Sequence, residues 1–210
     1  SYALCMVIPL AMRWLAQEAG RPLPIDILIL LHGLWIVVSM MVNHGAGRIP
    51  FAGMNVVEIL SGYFVGRILI REPGAFKYLF QVLLVALAVL VPFALLEMRD
   101  GTAIMQNLFG SLPGSVHGDV HHPPRLGLYR AQSVMQHPIL WGVFCALVGA
   151  NAFYIWADRL PGAVARTGLA GLACFSSMSS GAILNMLLQV LLKGWGWVTN
   201  GAWKLLMLGF

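Results

Sequence analysis

Leu128–Trp156 reads LYRAQSVMQHPILWGVFCALVGANAFYIW. From Pro138 onward it carries no charged residue, and it is long enough to cross the hydrocarbon core of a bilayer, which takes about 20 apolar residues in a helix. The preceding half is of another kind: Arg130, Gln132, Ser133, Gln136 and His137 crowd into its last positions. The stretch therefore reads as a membrane-spanning helix with a polar mouth. Everything else in the chain bears on what that mouth is for.

The whole composition agrees with the second half of the stretch. Hydrophobic residues make up 59% of the chain and charged residues 10%, and the mean hydropathy is +0.80. A water-soluble domain carries about 25% charged residues to build its polar shell, and this chain cannot supply one. Apolar runs of span length recur, without the short alternating segments of a β-barrel. The expected fold is all-α, a polytopic bundle of transmembrane helices forming one domain over residues 1–210. Its net charge of +5 records topology rather than nucleic-acid binding, because Lys and Arg mark the cytoplasmic ends of spans. Cys5, Cys145 and Cys174 all sit in apolar runs without ligand spacing, as small core residues do.

Apolar length and turn residues place helices at about 1–17, 24–42, 52–70, 78–97, 138–157, 161–177 and 181–194, with the start of an eighth near Trp203. A polar loop covers about 98–136. The chain begins inside one apolar run and ends inside another, so the expectation is a bundle truncated at one or both ends. Setting the turn REPGAFK in the cytoplasm puts Arg13, Arg21, Arg67, Arg71, Lys77, Arg159, Arg166, Lys193 and Lys204 on that side. Arg48, Arg99, Arg125 and Arg130 fall outside, and the 98–136 loop with them.

Four sets of residues are candidates for chemistry. His117, Asp119, His121 and His122 have ligand chemistry for zinc, but on a Gly/Pro loop and without a zinc-site signature they read first as solvated side chains, and no metal is expected. Arg99, Arg125 and Arg130 share the outer face, and guanidinium forks pair with phosphate oxygens. Arg130 also fits an interfacial anchor that snorkels to the headgroups. His137-Pro138 suits a helix start: proline belongs in the first turn, and the histidine falls at the N-cap. That end of a helix favours anions. In FSSMSSGAILNMLLQ, residues 175–189, Ser179 and Ser180 are placed to cap the following helix or to meet phosphate oxygens. Within the spans, Glu58 and Arg67 read as structural intramembrane charges in interhelix pairs, Asp26 as a helix cap and His32 as a hydrogen-bonded packing residue.

Three of these motifs resemble one family. LYRAQSVMQHPILWGVFCAL closely resembles the Arg-x-x-(Ser/Gly)-x-x-x-(His/Asn)-Pro-x-x-x-Gly stretch of the O-antigen ligase and polymerase family, and HPILWGVF looks most like its exopolysaccharide-polymerase branch. FSSMSSGAILNMLLQ is similar to that family's Leu-Ser-(Ser/Arg)-Gly turn, and EILSGYFVGRILI to its earlier Glu…Tyr…Arg helix. They occur in the family's order and cover most of the chain.

The resemblance implies a multi-pass glycosyltransferase of the bacterial inner membrane, with a fold related to the GT-C class. Such enzymes act on the periplasmic face. They move a glycan from undecaprenyl pyrophosphate to an acceptor glycan, without metal, nucleotide or nucleic acid, alongside other polysaccharide assembly proteins. Arg130 matches a pyrophosphate-binding arginine of the family, and Arg125, His137 and Ser180 complete the implied binding set. Ser180 stands where many members have arginine. The family's catalytic histidine lies in a later outer loop, so the general base is expected beyond Phe210. The alternative expectation is a transporter or flippase of a polar or lipid-linked substrate, using Glu58, Asp26 and His32 as its coupling path.

Overall fold

The computed structural model describes residues 2–110 and 123–199, with side chains from Cys5 onward. Every named element among the described residues is helical, and one isolated bridge, Arg125 to Leu128, is the only β pairing. The chain, read from its sequence as one transmembrane domain, groups into two compact units, Ser1–Phe76 and Lys77–Phe210.

The first unit holds α1 (Tyr2–Leu15), α2 (Pro24–His44) and α3 (Ile49–Phe64). A single 3-10 turn, Ala46–Arg48, leads into α3, and a wider π turn, Val65–Leu69, follows it. Leu10, Ala19, Phe64 and Ile68 form its small core. α2 and α3 pack closely where Gly33 meets Val56, since a Cβ on Gly33 would lie 3.1 Å from the valine.

The polar centre of this unit is Arg67. Its Nε donates to Asp26 Oδ1 at 3.1 Å, Nη1 to the Ala19 carbonyl at 2.8 Å and Nη2 to the Arg21 carbonyl at 3.0 Å. Tyr63 donates its hydroxyl to the same Asp26 carboxylate, and Asp26 also accepts the Leu23 N–H at 2.6 Å, closing the start of α2. A π turn widens the helix by one residue, and Arg67 lies within it, beside the α1–α2 connection. Sequence reading expected interhelix pairing for both Arg67 and Glu58. The structure gives Arg67 the carboxylate of Asp26, while Glu58 is exposed and enters none of the ion pairs among the described residues. Glu58 and Arg67 are nine positions apart on one helix. That offset does not bring two side chains together, because neighbours on a helix surface are three or four apart.

The second unit holds α4 (Pro73–Asp100), α5 (Ile104–Gly110), α6 (Pro138–Ile155), α7 (Leu160–Ser176) and α8 (Ser180–Val198). Pro73 opens α4 in its first turn, where a missing N–H costs nothing. α5 is a short helix inside what the sequence reads as loop. The core runs from Phe80, Leu84, Leu87 and Val91 of α4 to Trp141, Val148 and Phe153 of α6.

Small residues set the spacing of α6, α7 and α8. A Cβ on Gly149 would lie 2.9 Å from Ala170 Cβ and 2.7 Å from Met186 Cε, and one on Gly142 would lie 2.8 Å from Ala182 Cβ. Thr167 of α7 donates to the Gly149 carbonyl at 3.3 Å across the same contact. Lipid tails give apolar helices no reason to associate, so close backbone approach and interhelix hydrogen bonds hold such bundles.

Among the described residues, five helical segments are long and apolar enough to cross a membrane: Pro24–His44, Ala46–Leu69, Pro73–Asp100, Pro138–Ile155 and Ser180–Val198. That is fewer than the seven spans read from sequence. α7, with 17 residues and Arg166 in its first half, falls short of this class, and the apolar part of α1, Cys5–Leu15, is shorter still. The expected eighth span near Trp203 lies outside the described residues.

Two measurements follow from this packing. Asp26→Asn removes the charge that neutralises Arg67, and thermal unfolding in detergent is expected to begin earlier, with faster amide exchange over residues 16–23. An unaltered profile would show that the ion pair does not hold this unit. Gly142→Val forces α6 off α8, and denaturant unfolding should report a loss of about 1–3 kcal/mol, the usual cost of overpacking a tight contact.

Candidate functional site

Four helix ends of the second unit meet around the 125–137 segment: the end of α4, the start of α6, the end of α7 and the start of α8. Two backbone features shape that segment. Arg125 and Leu128 exchange both backbone hydrogen bonds, at 2.8 and 3.0 Å, across Leu126 and Gly127 with φ of 54° and 77°. Two positive φ values in a two-residue loop make a type I′ hairpin, which is why glycine is needed there. Tyr129 then donates its N–H to the Met98 carbonyl at 2.9 Å, with its ring packed on Gly101.

Glu97 fixes the next residues. It is buried at the end of α4, and its two carboxylate oxygens accept the N–H groups of Gln132 at 3.1 Å and Ser133 at 3.0 Å. Ser133 adopts φ of 52°, a left-handed conformation unusual for a residue with a Cβ. Two successive N–H groups turned toward one carboxylate account for that conformation. Gln106 of α5 braces the same loop, donating to the Met135 carbonyl and accepting from Gln132 Nε2 at 3.0 Å. Gln132 Oε1 and Ser133 Oγ are buried and have no hydrogen-bond partner among the described residues.

The serine turn after α7 closes the other side. Ala131 donates its N–H to the Ser176 carbonyl at 2.9 Å, and Trp141, fully buried, donates Nε1 to Ser176 Oγ at 3.0 Å. The hydroxyls of Ser176 and Ser177 donate at 2.6 Å to carbonyls three residues back, those of Ala173 and Cys174. These two hydroxyls serve the turn. Ser179 is the N-cap of α8 by position but makes no side-chain capping bond, and Ser180 is exposed in the first turn.

Both arginines of the loop reach this turn. Arg125 Nη1 donates to the Met178 carbonyl at 2.9 Å, and Arg130 Nε approaches the Ser177 carbonyl at 3.5 Å. Neither enters an ion pair with a carboxylate among the described residues. Burial of Arg130, and then the charge of Arg125, both oppose its cation and lower its pKa from the ordinary arginine value. Arginine remains protonated regardless. Guanidinium groups held on adjacent carbonyls have the donor geometry to grip an oxyanion bidentately.

His137 is the N-cap of α6, and its Nδ1 accepts the Ile139 N–H at 3.1 Å. An acceptor at Nδ1 places the proton of the neutral ring on Nε2. The ring thus serves the helix start beside the arginines. Arg99 lies at the end of α4 beside Asp100, exposed and 3.5 Å from its carboxylate.

The structure thus gathers Arg125, Arg130, His137 and the Ser176–Ser180 turn at one end of one unit. It leaves Glu58, Arg67, Asp26 and His32 in the other. His32 is exposed on α2, and Asp26 is committed to Arg67 and Tyr63. The loop histidines His117, His121 and His122, with Asp119, lie outside the described residues. Among the described residues no group of three or more His, Cys, Asp or Glu side chains is placed to hold a metal. Glu97 is the residue that sequence reading missed. In EMRD, at the end of an apolar run, it looks like one more polar loop residue. No family model, curated protein or solved structure matches the chain.

Glu97→Ala strands the N–H groups of Gln132 and Ser133, each costing about 1–3 kcal/mol when buried without an acceptor. Amide exchange at residues 130–134 should rise sharply, with Glu97→Gln intermediate because it keeps one oxygen acceptor. Exchange equal to that of the parent protein would show that Glu97 does not hold the loop.

Proposed function

We propose that this chain is a membrane glycosyltransferase of the O-antigen ligase and polysaccharide polymerase type, with a GT-C-related fold, acting on the periplasmic face of the bacterial inner membrane. Its donor is a glycan carried on undecaprenyl pyrophosphate, and its acceptor is another glycan. The observation that carries this reading is the pair Arg125 and Arg130, held beside the Ser177–Met178 turn with no ion pair to a carboxylate among the described residues.

The chemistry follows from that placement. Breaking the bond between sugar and pyrophosphate leaves negative charge on the phosphate oxygens. Cations held before the reaction stabilise that charge as it forms, without reorganising. Arg125 and Arg130 supply them at the mouth of α6, where a headgroup would sit with its tail in the bilayer. His137 and Ser180 border the same place. Glu97 is occupied by two backbone N–H groups and acts here by positioning the loop, so the proton of the acceptor hydroxyl goes to another group.

The test uses the intact protein. Arg130→Gln and Arg125→Gln should each weaken retention of undecaprenyl pyrophosphate by tenfold or more, measured by native mass spectrometry against undecaprenyl monophosphate. In cells with verified expression, Arg130→Ala should shorten the polymer and lower its yield. Unchanged retention together with normal polymer would remove the pyrophosphate role from this pair.

A further inference from the structure

The opposite end of the second unit carries a second group of cations, arranged differently. Lys77, at the start of α4, sits with Nζ 6.0 Å from the centre of the Trp156 ring, and the Arg166 guanidinium lies 4.7 Å from the same ring. Nearby, Phe153 packs against Trp197 with ring centres 5.6 Å apart. Lys193 Nζ lies 5.0 Å from Tyr154 and 5.9 Å from Trp197. Cations over aromatic faces gain modest energy from the ring quadrupole. They keep their full charge.

None of these three cations enters an ion pair with a carboxylate among the described residues. Asp158 lies on the α6–α7 connection, exposed, and pairs with none of them. Lys77 and Arg166 share one indole, so their charges repel at a place where no acid offsets them.

Arg166 is also preset. Its Nη1 donates to the Gly162 carbonyl at 2.9 Å, and a Cβ on Gly162 would lie 2.8 Å from that nitrogen. One end of the guanidinium is therefore held on the Gly162 backbone, with its centre over the Trp156 ring. A fork held in that way loses little freedom when it binds a planar or tetrahedral oxyanion.

We propose that Lys77 and Arg166, clamped on Trp156, form a binding site for the phosphate of an anionic phospholipid, with Lys193 on Tyr154 and Trp197 extending the same headgroup-level band. The location fits the ligand. Tryptophan and tyrosine settle at the membrane–water interface, and α4, α6 and α8 around them are long and apolar enough to span. Lysine and arginine near such an interface draw anionic lipid, with an effect of roughly fivefold in affinity for each cation. The site lies at the other end of these helices from Arg130 and does not depend on any reading of that end.

The test is lipid retention by the purified full chain. Native mass spectrometry and thermal unfolding are run with phosphatidylglycerol and phosphatidylcholine of matched acyl chains, and with inorganic phosphate. Phosphatidylglycerol should be retained selectively and should raise the unfolding temperature. Lys77→Gln with Arg166→Gln should weaken its retention by about 25-fold, two cations at roughly fivefold each, whereas Arg99→Gln should leave it unchanged. Gly162→Ala keeps every charge and displaces only the fork, and it should weaken retention as well. Equal retention of the two lipids, a double variant or Gly162→Ala protein that binds like the parent, or the same stabilisation by inorganic phosphate would overturn the proposal.

Discussion

The candidate site depends on one buried carboxylate. Glu97 accepts two consecutive backbone N–H groups, and those belong to the residues just after Arg130. A buried carboxylate is costly unless its oxygens find donors, and a buried N–H is costly unless it finds an acceptor. Each demand meets the other here, and the chain bends into a left-handed conformation at Ser133 to allow it. The segment from the hairpin to the helix start is thereby tied to the end of α4. Its other side is tied to the serine turn through Ala131 and Trp141. Arg130 lies between these two anchors.

Those anchors need a rigid frame, and the frame comes from small residues. α6 carries Gly142, Ala146 and Gly149 on buried faces, against Ala182 and Met186 of α8 and Ala170 of α7. In lipid, backbone proximity replaces the hydrophobic drive that packs soluble helices. A frame of this kind holds α7 and α8 at the distance that brings the Ser177–Met178 carbonyls to the arginines. The same glycine that lets two helices approach thus affects where a guanidinium can rest.

Much of this was legible in the sequence, and the exceptions have physical causes. The spans show in the apolar runs, because hydrocarbon thickness imposes a length. His137-Pro138 shows as a helix start, because capping chemistry is local. The hairpin at Leu126-Gly127 was not seen: no apolar alternation flanks it, and its turn signal is a single glycine in a loop already rich in them. Asp26 as the partner of Arg67 was hidden for a different reason. The pair is 41 positions apart and forms only because α2 and α3 lie side by side, with a π turn at Arg67. Glu97 was missed because its partners are backbone groups, which leave no mark in a sequence. Apolar length and turn residues mark α7 as a span in the sequence. Its length and its arginine put it outside that class.

Three arginines, Arg67, Arg125 and Arg130, show two ways in which the fold holds a guanidinium. Arg67 is met by a carboxylate as well as by carbonyls, so its charge is cancelled inside the protein. Among the described residues, Arg125 and Arg130 are met by carbonyls and by no carboxylate. A carbonyl dipole orients a guanidinium without neutralising it, and the net charge stays available to whatever approaches. Putting a carboxylate at the Ser177–Met178 turn would have made a more comfortable pair and a weaker anion site. The fold does bring a carboxylate to this loop, that of Glu97, but both its oxygens accept amide hydrogens of the loop. That acid instead fixes the backbone two and three residues after Arg130, at Gln132 and Ser133. That division, with the acid on the main chain and the cations on the side chains, is the physical basis for reading this end of α6 as a place where an anion binds.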